Sequence, residues 1–430
     1  MWVRYGPPGQ PTPAQCARHE DMTFVPHFGV ARTEELEELG ELLNSLFHSS
    51  LDAESQAVQQ STLEPERTLV VRDNTELVAT ATAFTRDLTV PGACLPAAHV
   101  SMVAVAPTHR RRGLLTELMR RQLRDVRDAG TEPVALLWAS EGRIYPRFGY
   151  GLACQQLVVE CETTELRLPD PTAAESRLRL TRPAHCRGEL ARVYDRVRPD
   201  RPGWSSRNEV WWNYVLADPA ARRAGATERR ALLHEGPDGV NGYALFRTRN
   251  AWDAVGPKAV TMVDEVVSGD PAANLAMWHL LLALDLTRRL TLRGVPLDDP
   301  LLRLLNEPRR LDARLTDALW LRVVDLPAAL SARRYATPVD VVLEVTDDLL
   351  AENAGRWRLT GGLDGASCVP SAGAADLACD IRALGELYLG GAGLGALAAA
   401  GRVRELRPGA LAAAGPAFGW HRAPAAMEIF

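Results

Sequence analysis

Several features that mark common protein classes are missing from this sequence of 430 residues. No apolar run approaches the roughly 20 residues of a transmembrane helix, and the N-terminus lacks the apolar segment of a secretory signal peptide. The seven cysteines form no C-x-x-C pair, so neither a zinc site nor a dithiol redox site is supported. An odd, dispersed set of cysteines in a large chain is typical of reduced thiols, and we expect a cytoplasmic protein without a metal.

A surplus of basic residues is also missing. The formal net charge is -5 at pH 7, whereas nucleic-acid binding generally requires a basic surface. We therefore expect neither nucleic acid nor a membrane span. Hydrophobic residues make up 46% and charged residues 24% of the chain, as in ordinary globular proteins. The length predicts roughly two to four domains.

The chain divides into a Pro- and Gly-rich leader and three units. Residues 1–21, with the stretch YGPPGQPTPAQ, are predicted to be disordered. The units are predicted at residues 22–165, 166–335 and 336–430. Apolar spacing in the first unit predicts alternating elements: a helix over 32–47, strands over 67–74, 76–90 and 98–107, a helix over 113–130, and a strand over 133–140.

The second unit repeats this order loosely, as an internal duplication or as an unrelated α+β unit would. Its stretch NLAMWHLLLALDLTRR predicts a helix over 274–289. The loop before that helix, 269–273, has no arginine and no glycine at the helix start. A duplicated copy would therefore have lost its ligand-binding residues. The third unit opens with strand-like segments and continues with an Ala-, Gly- and Leu-rich stretch that is predicted to be helical.

The stretch VAVAPTHRRRGLL, residues 103–115, contains a strand end, three arginines and a helix start at Gly113. The first N–H groups of a helix lack intrahelical partners and, together with the helix dipole, suit a pyrophosphate. Glycine permits close approach of the ligand, and arginines add charge-assisted hydrogen bonds. The pattern is neither a Walker motif nor G-x-G-x-x-G. An arginine-rich helix cap without a ligand is the alternative.

The spacing Arg110-x-x-Gly113-x-Leu115 resembles the coenzyme-A loop of GNAT N-acetyltransferases, R/Q-x-x-G-x-G/A. Leu115 departs from the usual small residue. A second stretch, ASEGRIYPRFGYG at 139–151, follows the next strand. Together with YLGGAGLGALAAAGRVREL and the terminal phenylalanine, these motifs resemble the enhanced intracellular survival (Eis) family of actinobacterial acetyltransferases. The resemblance covers essentially the whole chain from Met22, and Leu115 favours this branch.

The resemblance implies an α+β fold with three parts. These are a catalytic GNAT domain, a degenerate GNAT-like domain, both with mixed sheets flanked by helices, and a C-terminal domain like sterol carrier proteins. It implies acetyl-CoA as cosubstrate and a small-molecule primary amine as acceptor, including aminoglycoside antibiotics at several positions. It also implies a homo-oligomer, specifically a hexamer.

Amine acetylation needs a base for the amine, polarisation of the thioester carbonyl, and an acid for the departing thiolate. The resemblance assigns the acid to Tyr145, with Tyr150 as the neighbouring rival, and the base to the carboxylate of Phe430. A terminal carboxylate has a pKa of roughly 3.3–3.7 in water, and burial of the apolar tail would raise it. The alternative for any terminus is fraying in solvent.

The coenzyme contacts implied by the resemblance lie in three places. The backbone of residues 103–105 would pair with the pantetheine arm, the loop and helix start would hold the pyrophosphate, and two residues would line the same cleft. Arg110 would contact phosphate or brace the loop. The complete set is Val103, Ala104, Val105, Arg111, Arg112, Gly113, Leu114, Leu115, Thr116, Ser140 and Glu141.

The sequence departs from the family at two positions that are acidic in members acting on aminoglycosides. Ser49 stands at the first, with Asp52 and Glu54 as nearby substitutes, and Ile429 is penultimate, with the acid displaced to Glu428. Acetyl transfer is unaffected, but the aminoglycoside assignment is weakened. Protein lysines or polyamines are alternative acceptors. A non-catalytic lipid-binding or scaffold protein, carried by the C-terminal unit, is the rival function.

Overall fold

A computed structural model describes residues 25–170 and 177–430 of this chain. The leader predicted at 1–21 lies outside the described residues. The predicted α+β class is confirmed: two mixed sheets of seven strands are followed by a five-stranded sheet, each with packed helices. Within the described ranges, no helix is long and apolar enough to cross a membrane.

Among its described residues, the first unit contains six strands and three helices. The strands are β1 His27–Val30, β2 Thr68–Asp73, β3 Glu76–Val90, β4 Ala93–Val105, β5 Val134–Trp138 and β6 Gly151–Leu152. The helices are α1 Leu36–Leu46, α2 Ala53–Ser61 and α3 Leu114–Ala129. Of these elements, α1, β2 to β4, α3 and β5 follow the predicted order, whereas β1, α2 and β6 were not predicted.

The second unit has the same alternation of strands and helices. Its strands are β7 Gln155–Glu162, β8 Arg177–Thr181, β9 Arg230–Gly236, β10 Gly239–Arg249, β11 Trp252–Asp253, β12 Gly256–Pro257, β13 Ala259–Ser268, β14 Thr287–Val295, β15 Arg314–Asp317 and β16 Leu319–Val323. Its helices are α4 Arg187–Val197, α5 Glu209–Leu216, α6 Pro271–Leu282 and α7 Leu301–Leu304.

The helix predicted over 274–289 is wrong in its second half. Helix α6 ends at Leu282, and strand β14 begins at Thr287. Leu286 adopts a φ of +64° between them, a left-handed conformation that a helix cannot continue through. The unbroken apolar run before it concealed this boundary, because a buried helix and a buried strand look alike in composition.

The first two units exchange strands. The first sheet has the order β1-β2-β3-β4-β5-β16-β6, so β16, from the end of the second unit, lies beside β5. The second sheet has the order β15-β7-β14-β13-β10-β9-β8, so β7 joins it directly after β6. The chain therefore crosses between the sheets twice, and a single cut near residue 165 does not separate them.

The third unit packs its helices on a small sheet of order β19-β18-β17-β20-β21. Its strands are β17 Val339–Thr346, β18 Gly355–Gly361, β19 Ala366–Pro370, β20 Leu377–Asp380 and β21 Val403–Glu405. Its helices are α8 Leu326–Ala332, α9 Ile381–Leu387, α10 Leu394–Ala399 and α11 Ala410–Phe418.

Strands β4 and β5 separate in the middle of the first sheet. Their parallel pairing covers Ala97–His99 and Val134–Leu136, although β4 runs on to residue 105 and β5 to residue 138. A bulge in β4 lies at the same level, where the pairing with β3 shifts and Met102 adopts a φ of +50°. The gap between the two strands exposes the edge of β4 to a ligand.

Candidate active site

Helix α3 begins with N–H groups that no side chain caps. Its N-cap is Gly113, with a φ of +83° and no side-chain cap hydrogen bond. Arg111 also lies in the left-handed region, with a φ of +63°. These two dihedrals turn the loop sharply before the helix. The resulting N-terminus is suited to an anion, because backbone N–H groups and the positive end of the helix dipole converge there.

The three arginines do not act alike. Arg110 donates from Nε to the carbonyl of Val105 at 3.3 Å, which braces the loop against the end of β4. The side chains of Arg111 and Arg112 are exposed beside the helix start. Guanidinium groups there add charge-assisted donors for phosphate oxygens. The donor set of this loop therefore fits a pyrophosphate.

The packing of α3 explains why a leucine is tolerated at residue 115. Leu114 is buried against β2 and β3, and Leu115 packs beside Met119 and Tyr145. Both side chains thus belong to apolar clusters of the first unit, and the N-cap makes no side-chain hydrogen bond to the first helical N–H groups. Thr116 lies in the same first turn and is half-buried. The departure from a small residue thus fills the core rather than the anion site.

The two faces of β4 carry different parts of the site. Ala98, Val100 and Val103 face α3, whereas His99 and Ser101 face the other side of the sheet. Val105 returns to the α3 side. The backbone of residues 103–105, including Ala104, lies in the part of β4 that β5 no longer pairs. Its edge is available to hydrogen-bond an extended ligand strand.

Tyr145 lies on the α3 face and is buried among the side chains of β4, β5 and α3. Burial, with a smaller contribution from the Glu141 charge, raises the pKa of its phenol to about 12. The hydroxyl is thus protonated at neutral pH. The rival, Tyr150, is fully buried, and its hydroxyl has no hydrogen-bond partner among the described residues. Tyr145 keeps 5% of its surface exposed and Tyr150 none, so Tyr145 is the better placed of the two to meet a ligand.

Ser140 and Glu141 lie at the surface just beyond the end of β5. Glu141 pairs with the exposed Arg143 at 2.7 Å. Both residues follow the part of β5 that no longer pairs with β4; no described contact assigns them a ligand, and their role in the coenzyme cleft stays a prediction.

Phe430 lies on the opposite face of the first sheet, against β4. Ser101 donates from Oγ to the backbone oxygen of Phe430 at 2.7 Å. The Phe430 ring packs edge-on against His99, with ring centroids 4.8 Å apart. The alternative of a frayed terminus is wrong for this structure, because the last residue is held by both its main chain and its ring.

His99 is the titratable side chain in ring contact with Phe430, and its surroundings exclude it as a base. Its Nδ1 bonds the Ala97 carbonyl at 2.9 Å, so that nitrogen must carry the proton. Its Nε2 then accepts from the Ser205 hydroxyl at 2.7 Å. Complete burial lowers the pKa of His99 to about 3. The imidazole is neutral at pH 7, and both nitrogens are occupied.

A buried cluster of charges next to the terminus was not predicted from the sequence. Glu428 forms ion pairs with Arg86 of β3 and with Arg207, which lies before α5; Arg207 also pairs with Glu265 of β13. Arg86 and Glu428 are 342 positions apart, so no local pattern connects them. The one hint in the sequence was an acidic residue, Glu428, near the end of an otherwise apolar tail.

Two of the acids considered as substitutes, Asp52 and Glu428, are engaged elsewhere. Ser49 is exposed and donates to Asn44 at 3.0 Å. The Asp52 carboxylate accepts the Ser55 N–H at 2.7 Å as the N-cap of α2. Ile429 is 62% exposed, and Glu428 is already neutralised by two arginines. The negative charge at the terminus is therefore chiefly that of its own carboxylate.

The second unit closes the site that corresponds to the α3 N-terminus. The carboxylate of Asp270, the N-cap of α6, accepts the N–H groups of Ala272 and Ala273 at 2.8 and 3.4 Å. The donors that would meet a phosphate are thus satisfied by an anionic side chain, which would also repel it. This arrangement explains physically why the loop at 269–273 carries neither arginine nor glycine at the helix start.

Three family models match the chain. Acetyltransferase (GNAT) domains match residues 29–153 and 203–323, and a sterol carrier protein domain matches residues 326–427. The first match ends before β7, and the second begins after β7 but includes the exchanged strand β16. The first includes the arginine loop and Tyr145, and the second includes the loop closed by Asp270.

Relatives and solved structures agree with these matches. The N-acetyltransferase Eis of Mycobacterium tuberculosis (strain ATCC 25177 / H37Ra) is 40% identical over 373 residues, covering 83% of this chain and 88% of the relative. An uncharacterized N-acetyltransferase of Streptomyces avermitilis is 45% identical over 374 residues, covering 86% and 91%. The crystal structure of Eis1 from Mycobacterium abscessus has a TM-score of 0.80 at 33% identity, covering 94% of this chain and all of that one (100%).

Proposed function

Because this chain belongs to the Eis family of GNAT N-acetyltransferases, we propose that it transfers the acetyl group of acetyl-CoA to a primary amine. In this proposal the Phe430 carboxylate is the general base and Tyr145 is the general acid. The observation that carries it is the docking of the terminal carboxylate on Ser101, beside the gap between β4 and β5. Tyr145 lies on the other face of the same strand.

In this proposal, one face of the first sheet binds the coenzyme and the opposite face receives the amine. The coenzyme's pyrophosphate fits the N-terminus of α3, with Arg111, Arg112 and Gly113 as its immediate surroundings. Its pantetheine arm fits the free edge of β4 at residues 103–105, whose N–H groups would polarise the thioester carbonyl. An amine that approaches from the other face meets the Phe430 carboxylate first.

The proton transfers balance with these two residues. The carboxylate of Phe430 takes one proton from the neutral amine nitrogen as that nitrogen forms the new C–N bond and the C–S bond breaks, and it later releases this proton to solvent. Tyr145 donates its phenolic proton to the departing thiolate and is reprotonated from solvent. Ser101 orients the carboxylate through its hydrogen bond at 2.7 Å. His99 packs against the ring and takes no part in proton transfer.

The charges around the terminus bear on the acceptor. Aminoglycosides and polyamines carry several positive charges, which acidic walls would stabilise. Here the acid at Glu428 is neutralised by Arg86 and Arg207, and the position of Ser49 carries no charge. This arrangement favours acceptors with one amine at the reacting position and few further charges. Aminoglycosides, which the family resemblance implies, and polyamines are therefore less favoured acceptors than protein lysines.

The rival scaffold function finds less support. Vestigial sequence should have lost the uncapped glycine start and the anchored terminus, and such loss occurs in the second unit instead. In the third unit, Arg333 is completely buried and donates to the carbonyls of Leu387, Tyr388 and Phe418. A charged group in this interior suits an apolar lipid poorly.

A homo-oligomer, expected to be a hexamer, is testable by light scattering.

The test is CoA release with kanamycin, spermidine, a lysine-containing peptide and tryptamine as acceptors. Turnover with at least one amine is expected. An absence of turnover with all four amines would contradict the proposed acetyltransferase activity. Appending one glycine after Phe430 should abolish turnover, because the carboxylate moves away from Ser101. Phe430→Leu, which keeps the carboxylate and removes the ring, is the matched control and should retain measurable kcat. A normal kcat in the chain extended by glycine would refute the assignment of the Phe430 carboxylate as the general base.

A further inference from the structure

The chain's last residues leave the C-terminal unit and are fixed by the second unit. The N–H of Ala423 donates to the Asp298 carboxylate, and that of Ala425 donates to the Pro202 carbonyl, both at 2.9 Å. The contact is close enough that a Cβ on Gly203 would lie 2.2 Å from the Ala425 oxygen. The path of this tail is therefore set by backbone contacts before it reaches the first sheet.

The tail lies in the gap of the second sheet. Strands β13 and β14 pair in parallel over Ala259–Val263 and Thr287–Leu292 and then separate, as β4 and β5 do in the first sheet. A small cavity of about 80 Å³ is lined by the separated strand ends together with Ala426 and Met427. Met427 packs against the core under α4. The space that corresponds to the coenzyme gap of the first unit is thus occupied by the chain's own C-terminus.

Glu428 is held where the tail passes from the second unit to the first. One carboxylate oxygen pairs with Arg86, and the other accepts from Nη2 and Nε of Arg207 at 2.7 and 3.2 Å. Arg207 is fully buried and also donates twice to Glu265, at 3.1 and 2.8 Å. Arg86 and Arg207 balance Glu265 and Glu428, so the cluster is neutral and every carboxylate in it is paired.

The two residues that follow are aligned by further contacts. Trp138 of β5 donates from Nε1 to the Glu428 carbonyl at 3.1 Å, and Tyr214 of α5 donates to the Ile429 carbonyl at 3.3 Å. Two extended residues span roughly 7 Å, and Glu428 is the ion-paired side chain that lies this short distance before the terminal carboxylate. Its displacement would move that carboxylate relative to Ser101.

We propose that the second unit is a dock for the catalytic terminus, and that Glu428 is a positioning residue that fixes the Phe430 carboxylate beside β4. This inference rests on the proposed function, in which that carboxylate is the base. It gives the degenerate unit a role: its coenzyme gap binds the tail, and its Arg207 and Glu265 orient the tail's one acid.

The experiment compares Glu428→Gln with Glu132→Gln in the full-length chain. Glu132 is a matched control, because it too is a buried glutamate that accepts twice from one arginine, Arg67 at 2.9 and 2.6 Å, and no described hydrogen bond or ion pair joins it to residues 423–430. The first readout is the rate at which carboxypeptidase A releases phenylalanine from the native protein. The second is kcat and KM for acetyl-CoA with the panel of four amines.

Docking by Glu428 predicts release of phenylalanine at least roughly 10-fold faster in Glu428→Gln than in Glu132→Gln. It also predicts a kcat lower by roughly 10- to 100-fold, with the KM for acetyl-CoA within about twofold of wild type. Glu428→Asp, which restores the charge, should recover part of both. Release at the wild-type rate would overturn the docking role, whatever the activity.

The glycine extension separates this inference from the base assignment. If Glu428→Gln frees the terminus but keeps full kcat while the extension abolishes it, the positioning role fails and the base stands. If the extension is also fully active, the base assignment fails, and with it the catalytic meaning of the dock. A silent Glu428→Gln beside an inactive extension likewise overturns only the positioning role.

Discussion

Substitution of Gly113 by alanine tests the pyrophosphate site at the start of α3. Gly113 has a φ of +83°, a conformation that costs an L-residue roughly 1–2 kcal/mol. No described atom lies within 4 Å of a Cβ built there, so the cost is backbone strain rather than a clash. The free variant relieves that strain by rotating the loop, which turns the first N–H groups of the helix away from the ligand.

The magnitude follows from this relaxation. Bound pyrophosphate requires the original dihedrals, so the strain that the free variant has released must be restored on binding. An energy of roughly 1–2 kcal/mol corresponds to a Kd for CoA that is weaker by about 5- to 30-fold. Isothermal titration calorimetry of CoA into the variant and the wild type measures this ratio directly.

Gly130→Ala is the matched control at the other end of the same helix. Gly130 has a φ of +69°, and no described atom lies within 4 Å of its position for a Cβ. Its substitution should lower the free energy of unfolding by about 1 kcal/mol while the Kd for CoA stays at the wild-type value. Wild-type affinity in Gly113→Ala, or equal weakening in both variants, would refute the assignment of the phosphate site.

Three further predictions follow from the same geometry. Tyr145→Phe should lower kcat by roughly 100- to 10,000-fold with unchanged CoA affinity, and a normal kcat would move the acid elsewhere. CoA should bind with a stoichiometry of one per chain, because Asp270 closes the second site; a value of two would contradict this. The folded state holds His99 neutral with a pKa of about 3, against 6.5 for an ordinary histidine. The unfolded chain therefore binds the extra proton, and stability, full above pH 6.5, should fall toward pH 3 by up to about 1.4 kcal/mol per unit. His99→Gln should flatten this slope in acid denaturation, and an unchanged slope would exclude His99 as its source.

Features that depend only on neighbouring residues could be predicted from the sequence. A glycine after an apolar strand, with arginines beside it, predicts the helix start at Gly113, because few residues other than glycine tolerate a positive φ. The left-handed conformation of Arg111 was not predicted. The catalytic roles of Tyr145 and Phe430 came from family resemblance and stay predictions. The structure adds that Tyr145 is buried beside β4 and that Phe430 is hydrogen-bonded to Ser101.

Contacts between distant segments lay beyond sequence reasoning. The pair formed by Arg86 and Glu428 joins β3 to the terminus, and nothing in either neighbourhood indicates the other. The helix predicted to run to residue 289 failed at Leu286 for a related reason. A buried apolar run has no periodicity to reveal its end, so tertiary packing decides where the helix stops.

The strand exchange and the tail together argue that activity belongs to the whole chain. Strand β16 lies between β5 and β6 of the first sheet, and all five of its residues are buried. A fragment that ended near residue 153 would expose the apolar edge of β5, next to the gap that the coenzyme needs. It would also lack Phe430 and the second-unit residues that anchor the tail. The second unit thus contributes one strand to the first sheet and, under the proposed function, the anchor for the catalytic carboxylate, which would make it part of the active site's architecture.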